Sequence, residues 1–195
     1  MPYAQEPTYT YPDNTVIILP EGETVTLNIG ANVTDGGSIA NLWYRNAEQD
    51  NANTAEIYKN AIGEEVTANS CEVHEEGYYY LKATNNKNNS QSKTYSNALQ
   101  VVFDADEPEI NQHMVNGVGR TEFPTVCAVG DLVAIKVDAP KHGSISYQWL
   151  NNNEPIIGAT NNYYSIAAAG SYVCQVTNTY KGLTKTKNSE QFIVV

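Results

Sequence analysis

The chain has 195 residues, room for two domains of about 100 residues each, and its hydrophobic share of 41% suffices for two small cores. With 11 basic residues against 22 acidic ones the formal charge is -11, a field that repels nucleic-acid phosphates and anionic lipid headgroups. No stretch approaches the roughly 20 consecutive apolar residues of a membrane span, and Met1-Pro2-Tyr3-Ala4-Gln5 has neither a basic nor an apolar leader region.

In chain order, the first element is Ala4-Gln5-Glu6-Pro7, whose proline holds the backbone before it extended. Leu19 stands three residues before Gly22. Then Gly22-Glu23-Thr24-Val25-Thr26-Leu27-Asn28-Ile29 sets apolar residues at a period of two after an acidic turn, a strand with one buried face. Thr34-Asp35-Gly36-Gly37-Ser38 has turn composition, and Leu42-Trp43-Tyr44-Arg45 places a tryptophan in a short aromatic run. Cys71 and His74 are open to reading as a Cys-His dyad or half a metal site. The alternation Cys71, Val73 instead puts both inward on a strand, with Cys71 a packing cysteine and His74 facing out. Gly77-Tyr78-Tyr79-Tyr80-Leu81-Lys82-Ala83-Thr84-Asn85 is a further strand, followed by the Asn-rich loop 85–90 and the β-rich Ala98-Leu99-Gln100-Val101-Val102-Phe103.

The stretch Asp104-Ala105-Asp106-Glu107-Pro108-Glu109 carries four carboxylates. Hard oxygen ligands at a junction suit calcium, but regular ligand spacing is missing, and the reading preferred here is a solvated acidic linker stiffened by proline. Beyond it the pattern returns. Cys127 stands three residues before Gly130, as Leu19 does before Gly22. Gly130-Asp131-Leu132-Val133-Ala134-Ile135-Lys136-Val137 matches the first alternating strand, and Tyr147-Gln148-Trp149-Leu150 holds the second of the two tryptophans. Asn162-Tyr163-Tyr164-Ser165-Ile166 reads as a strand. Gly170-Ser171-Tyr172-Val173-Cys174-Gln175-Val176-Thr177-Asn178 matches the stretch from Gly77, and Gln191-Phe192-Ile193-Val194-Val195 closes the copy. His113 and His142 fall in polar, loop-like surroundings without a recognisable partner. Asn32 and Asn88 fit the glycosylation triplet, which recurs by chance in an Asn-rich chain.

Two copies of one pattern therefore predict two domains, 1–104 and 105–195. The first holds 14 acids and 5 bases, a net of -9, and the second 8 and 6, a net of -2. Between Trp43 and Gly77 lie 33 residues, against 20 between Trp149 and Gly170, so edge specialisation is expected in the first copy. Both copies open with Ala-x-Glu-Pro, which predicts another folded domain upstream of residue 1 in a longer array.

The strand motif Gly-x-Tyr-x-(Leu/Cys)-x-(Ala/Val)-x-Asn, with one tryptophan per copy, resembles the immunoglobulin superfamily. The resemblance covers nearly the whole chain. It implies an all-β protein of two tandem immunoglobulin-like β-sandwiches with Greek-key topology, core tryptophans at Trp43 and Trp149, and tyrosine corners at Tyr79 and Tyr172. Where the family has its inter-sheet disulfide, Ile29 would face Leu81 and Val137 would face Cys174, so no such bond is expected and apolar packing replaces it. Cys127–Cys174 remains an alternative pairing within the distance rules for disulfides. The missing disulfide, and abundant Asn and Tyr beside few Arg, resemble bacterial surface proteins.

With three histidines, no G-x-S-x-G, no phosphate-binding glycine loop and no HExxH, the chain is read as no enzyme, with no catalytic, cofactor-binding or metal residues. The expected function is a non-catalytic structural and interaction module of a larger extracellular or cell-surface protein, a spacer with an adhesive role, monomeric and without cofactor. The alternative is a carbohydrate-binding accessory module of a secreted enzyme, which needs an exposed aromatic platform built from tyrosines. Its partner is an unidentified protein or glycan, not nucleic acid or membrane. Candidate contact loops are 34–38, 85–90, Asn151-Asn152-Asn153-Glu154 and Asn161-Asn162-Tyr163.

Overall fold

A computed structural model describes residues 3–194; the Met1-Pro2 start and Val195, the expected last strand residue, lie outside the described residues. The chain divides into two compact units that meet between Phe103 and Asp104.

In the first unit the strands in chain order are β1 (Thr8–Thr10), β2 (Val16–Leu19), β3 (Val25–Asn28), β4 (Gly30–Asn32), β5 (Ser38–Asn46), β6 (Glu56–Ile57), β7 (Ser70–Val73), β8 (Gly77–Lys87), β9 (Ser90–Tyr95) and β10 (Leu99–Phe103). One layer runs β2-β10-β8-β5-β6 with β9 continuing the pairing along β8; the opposite layer is the β3-β7 pair together with β1-β4. The second unit has β11 (Ile110–Val115), β12 (Val118–Arg120), β13 (Thr125–Cys127), β14 (Leu132–Val137), β15 (Ser144–Asn151), β16 (Glu154–Pro155), β17 (Tyr163–Ser165), β18 (Gly170–Tyr180), β19 (Leu183–Asn188) and β20 (Phe192–Val194). Its layers are β12-β11-β14-β17 and β13-β20-β18-β15-β16, with β19 along β18. In both units the first strand of the larger layer pairs in parallel with the last, β2 with β10 and β13 with β20, while every other pairing is antiparallel.

The alternating sequence pattern becomes two faces. Along β8 the odd-numbered residues Tyr79, Leu81 and Ala83 are fully buried, and along β18 Tyr172, Cys174 and Val176 hold the same positions. Trp43 and Trp149 are fully buried, and each indole N–H donates to a backbone carbonyl of the opposite layer's approach segment, Ala68 at 2.9 Å and Asn161 at 3.0 Å. Each corner tyrosine donates its hydroxyl four residues back, Tyr79 to the Glu75 carbonyl at 2.7 Å and Tyr172 to the Ala168 carbonyl at 2.8 Å. Each unit is thus an immunoglobulin-like sandwich. The three cysteines are free and buried, and no inter-sheet disulfide is present among the described residues.

Several expectations shift in detail. In the second domain Val133 and Ile135 are the fully buried residues of β14, and Val137, beyond the register shift between Ile110 and Gln112 at the end of the ladder, is only partly covered. Asn116-Gly117, both at positive φ, forms a two-residue hairpin turn that joins β11 to β12, a strand unforeseen in the sequence. The long segment of the first domain makes a 3-10 turn, Ala52–Thr54, the short β6 and a Lys59–Glu65 bridge. The compact second domain fits a two-residue β16 before β17.

A shared device was also missed. The antiparallel segments β8-β9-β10 and β18-β19-β20 each slip register once, and a buried serine fills the slip. Ser96 Oγ accepts the Leu81 N–H at 2.9 Å, and Ser189 Oγ accepts the Cys174 N–H at 2.8 Å, so neither amide is left buried without a partner.

Candidate interaction face

The even-numbered residues of β8 point away from the core of the first domain, and register extends that outer face over all six strands of the sheet. Tyr44 lies opposite Tyr80 and Ile57, Lys82 lies between Leu42 and Tyr95, and Gln100 lies between Tyr78 and Val16. The face therefore gathers Tyr44, Tyr78, Tyr95, Leu42 and Lys82 in half-buried positions, with Val16 at 50%, Ile57 at 41% and Ile18 at 39% exposure along its edges. Tyr80 is covered, and its hydroxyl donates to Asp50 of the segment arching from β5 towards β6 at 2.7 Å. Burial, then that carboxylate, push its phenol well above the usual range.

At the centre Tyr44 and Tyr95 meet edge to face, centroids 5.2 Å apart at 82°. Lys82 Nζ lies 4.8 Å from the Tyr95 centroid and 5.3 Å from that of Tyr44, so the ammonium sits against both rings. Its pKa is raised, first by the hydrogen bond to Tyr95, which keeps it charged. Three strands thus hold two rigid aromatic surfaces and one cation in fixed register.

The same positions in the second domain carry none of this. Leu150, Val173, Gln175 and Asn188 stand where Tyr44, Tyr80, Lys82 and Tyr95 stand, and the neighbouring rows are Ser144, Ser146, Thr177, Thr179, Thr184 and Thr186, with Thr177 and Thr186 hydroxyls 3.0 Å apart. One scaffold carries an aromatic-cationic face; the other has neither ring nor cation at the matching positions.

Residues singled out from the sequence fall elsewhere. Cys71 pairs with Leu27 across the β3-β7 ladder and is buried beside Val73, while His74 is exposed and lies 3.7 Å from Glu75. Burial pushes the Cys71 and Cys174 thiols up to about 12 and raises that of Cys127, so all three stay protonated and poorly nucleophilic near neutral pH. His113 is not in a loop. It lies in β11, half-buried edge-on to Phe123 at 4.8 Å, and its Nε2 accepts the Glu190 N–H at 3.0 Å; burial lowers its pKa. His142 does have a carboxylate partner, Asp106, 3.4 Å from Nδ1 and 36 residues away in sequence.

Two of the four carboxylates of the acidic stretch, Asp104 and Asp106, are engaged, while Glu107 and Glu109 are exposed. Asp104 pairs with Lys185 at 2.9 Å, and Asp106 accepts the backbone N–H groups of Lys141 and His142. Desolvation is the largest single influence on Asp106 and acts upward, but the His142 and Lys141 N–H groups together hold its pKa down. Among the described residues no group of three or more His, Cys, Asp and Glu is arranged to hold a metal ion, and no helix is long and apolar enough to cross a membrane.

The two Ala-x-Glu-Pro elements are each clamped to their own sandwich by the asparagine that ends the strand motif. Asn85 Nδ2 donates to the Gln5 carbonyl at 2.9 Å and to Asp35 at 3.0 Å; Asn178 Nδ2 donates to the Asp106 carbonyl at 2.9 Å and to the His142 carbonyl at 2.8 Å. Both side chains are fully buried. A Cβ on Gly37 or Gly143 would stand 2.0 Å from the asparagine Oδ1, so only glycine lets the chain pass so closely. Three of the expected contact loops have structural work of their own: 34–38 and 85–90 build this clamp and the Asn88-Asn89 turn, and 151–154 is the Asn152-Asn153 turn, both turns with positive φ at two successive asparagines. Of the last loop, Tyr163 is exposed in β17 at the sheet edge.

No protein-family model matches the chain, and no curated protein matches it. Solved structures to which it is similar include the N-terminal four Ig domains of Dscam1 isoform 4.44, 10% identical over 98% of this chain at a TM-score of 0.48, and a marsupial T cell receptor, 10% identical over 97% at 0.38. Sidekick-1 immunoglobulin domains 1-5 are 13% identical over 96% at 0.31. The chain spans 46% of the Dscam1 fragment, 97% of the T cell receptor and 41% of the Sidekick-1 fragment. Likeness at this level transfers no partner or activity.

Proposed function

We propose that the chain is a non-catalytic structural and interaction module of a larger bacterial surface or secreted protein, acting outside the cell as a monomeric spacer and adhesive element, with domains 1–104 and 105–195 as separate folding units. The observation that carries this reading is the asymmetry between the two sandwiches. One scaffold repeated twice bears half-buried Tyr44, Tyr95 and Lys82 on the first copy and Leu150, Asn188 and Gln175 at the same positions on the second. Stability alone does not require that difference, since both cores are built on the same buried set. Tyrosines locked in register offer large contact area at small entropic cost on binding. The raised thiol pKa values and the burial of all three cysteines argue against nucleophilic chemistry.

The same cluster favours one second reading, a glycan-binding accessory module, because Tyr44 and Tyr95 are the outward aromatic surfaces such a module would need. Both readings are tested together. The chain, immobilised on beads, is presented to extracellular-matrix proteins and to a panel of neutral oligosaccharides, alongside the Tyr44→Ala/Tyr95→Ala variant. Capture of matrix protein that the variant loses supports the adhesive reading, and capture of a neutral sugar that the variant loses supports the glycan reading. Binding that survives the double substitution sinks the assignment of this face.

A further inference from the structure

The second domain carries a groove that the tyrosine face does not explain. It is an open hollow of 760 Å³ over the β11 bulge and the stretch leading from β12 to β13. Arg120 and Lys136 line it, both exposed, and among the described residues neither side chain makes an ion pair or hydrogen bond, although the Arg120 charge is one of the lesser influences that lower the Asp131 pKa. That is notable in a chain with twice as many acids as bases. Arg120 lies opposite His113, and Lys136 lies opposite Gln112 on the next strand; these neighbours on β11 alternate across the sheet, so the two cations reach the hollow from either side of its free edge. Gly119, beside Gln112 at the free edge, leaves the hollow unfilled, since a Cβ there would come within 3.1 Å of the Gln112 amide. The remaining surface is the half-buried Phe123 ring, held edge-on by His113, and the Thr121 hydroxyl. Carboxylates of these elements are occupied: Asp138 accepts the Asn111 amide at 2.6 Å, and Asp131 accepts the Asn116 amide at 2.8 Å. Glu122 lines an adjoining hollow that shares Arg120.

Two unpaired cations, amide and hydroxyl groups between them, and one aromatic face suit a ligand with an anionic group, many hydroxyls and a ring. The net charge of -11 disfavours densely charged polyanions such as nucleic acid or an anionic membrane. We propose that this groove binds an acidic saccharide of the hexuronate type, its anionic groups held by Arg120 and by Lys136 at the two sides of the hollow, its hydroxyls by Gln112 and Thr121, and its ring against Phe123. The site is on the second domain and stands whether or not the tyrosine face binds anything.

The experiment titrates the full chain by calorimetry with an oligogalacturonate, a neutral oligosaccharide of the same length and a heavily sulfated one. The expected order is uronate first, with affinity falling as salt rises. Arg120→Ala/Lys136→Ala weakens uronate binding about tenfold or more, as loss of charge-assisted hydrogen bonds requires. Lys93→Ala/Lys187→Ala, which removes equal charge from β9 and β19, changes it little. Thermal melting of each variant checks that it is folded. Absent uronate binding, equal affinity for the neutral sugar, tighter binding of the sulfated one, or equal losses in the two double variants each overturn the proposal.

Discussion

The corner tyrosines and the loop tyrosines are chemically the same and differ only in burial. Tyr172 is 1% exposed and its hydroxyl is bonded, whereas Tyr163 is 50% exposed. Truncation of the first removes a buried ring and should cost about 3–5 kcal/mol, while Tyr163→Ala should stay within about 0.5 kcal/mol. Chemical denaturation of both variants checks this, and equal midpoints contradict the corner assignment. The cysteines give a second residue-scale expectation. Thiol titration of denatured, unreduced protein should find all three free, and the folded protein should react slowly because each thiol is buried with a raised pKa; a single reactive thiol after denaturation would mean that two are bonded. Tyr79, Tyr172 and the tryptophans were legible in the sequence because a short motif in a strand fixes parity. The histidines were not, since the partners of His113 and His142 lie 77 and 36 residues away.

At the level of elements, the clamp is where local sequence and long-range structure meet. Asn178→Ala leaves the Asp106 and His142 carbonyls without their donor in a buried position, which should cost about 1–3 kcal/mol. Amide hydrogen exchange should then quicken selectively over 104–109 and 141–143; uniform quickening of the whole second domain would show that the asparagine serves the core and not the opening segment. In the first domain Asp35 does the corresponding work. The N–H groups of Gln5, foremost, and Gly37 hold its pKa at about 2, below the ordinary 3.8. A depressed folded-state pKa means that the stabilisation is complete above the unfolded value and is lost as pH falls. The melting temperature of the native chain should therefore exceed that of Asp35→Asn near neutral pH, with the gap closing between about pH 4 and about pH 2. A gap independent of pH would mean that the carboxylate charge is not what the amides hold.

Over the whole molecule, the two copies share a fold and differ in charge and surface. Expressed separately, 1–104 and 105–195 should each fold and melt cooperatively. The first, at -9 against -2, should gain more stability when about 0.5 M salt screens its self-repulsion. Failure of either piece to fold alone would overturn the two-domain reading, and equal salt responses would show that its acids are too well dispersed to repel.

The all-β class, the twofold repeat, the core tryptophans and the lack of an inter-sheet disulfide were all determined by the sequence alone, because each depends on period-two alternation or on which residue stands at a fixed offset. Tertiary structure decided what alternation cannot reach. It set which outward residues of separate strands become neighbours, bringing Tyr44, Lys82 and Tyr95 together from β5, β8 and β9. It turned asparagine-rich loops into tight hairpin turns and a clamp, and it set Arg120 and Lys136 around one hollow at the free edge of β11. The physical reason is that burial is written locally, residue by residue, whereas a surface site is assembled by register and by slips in register, which only paired strands possess.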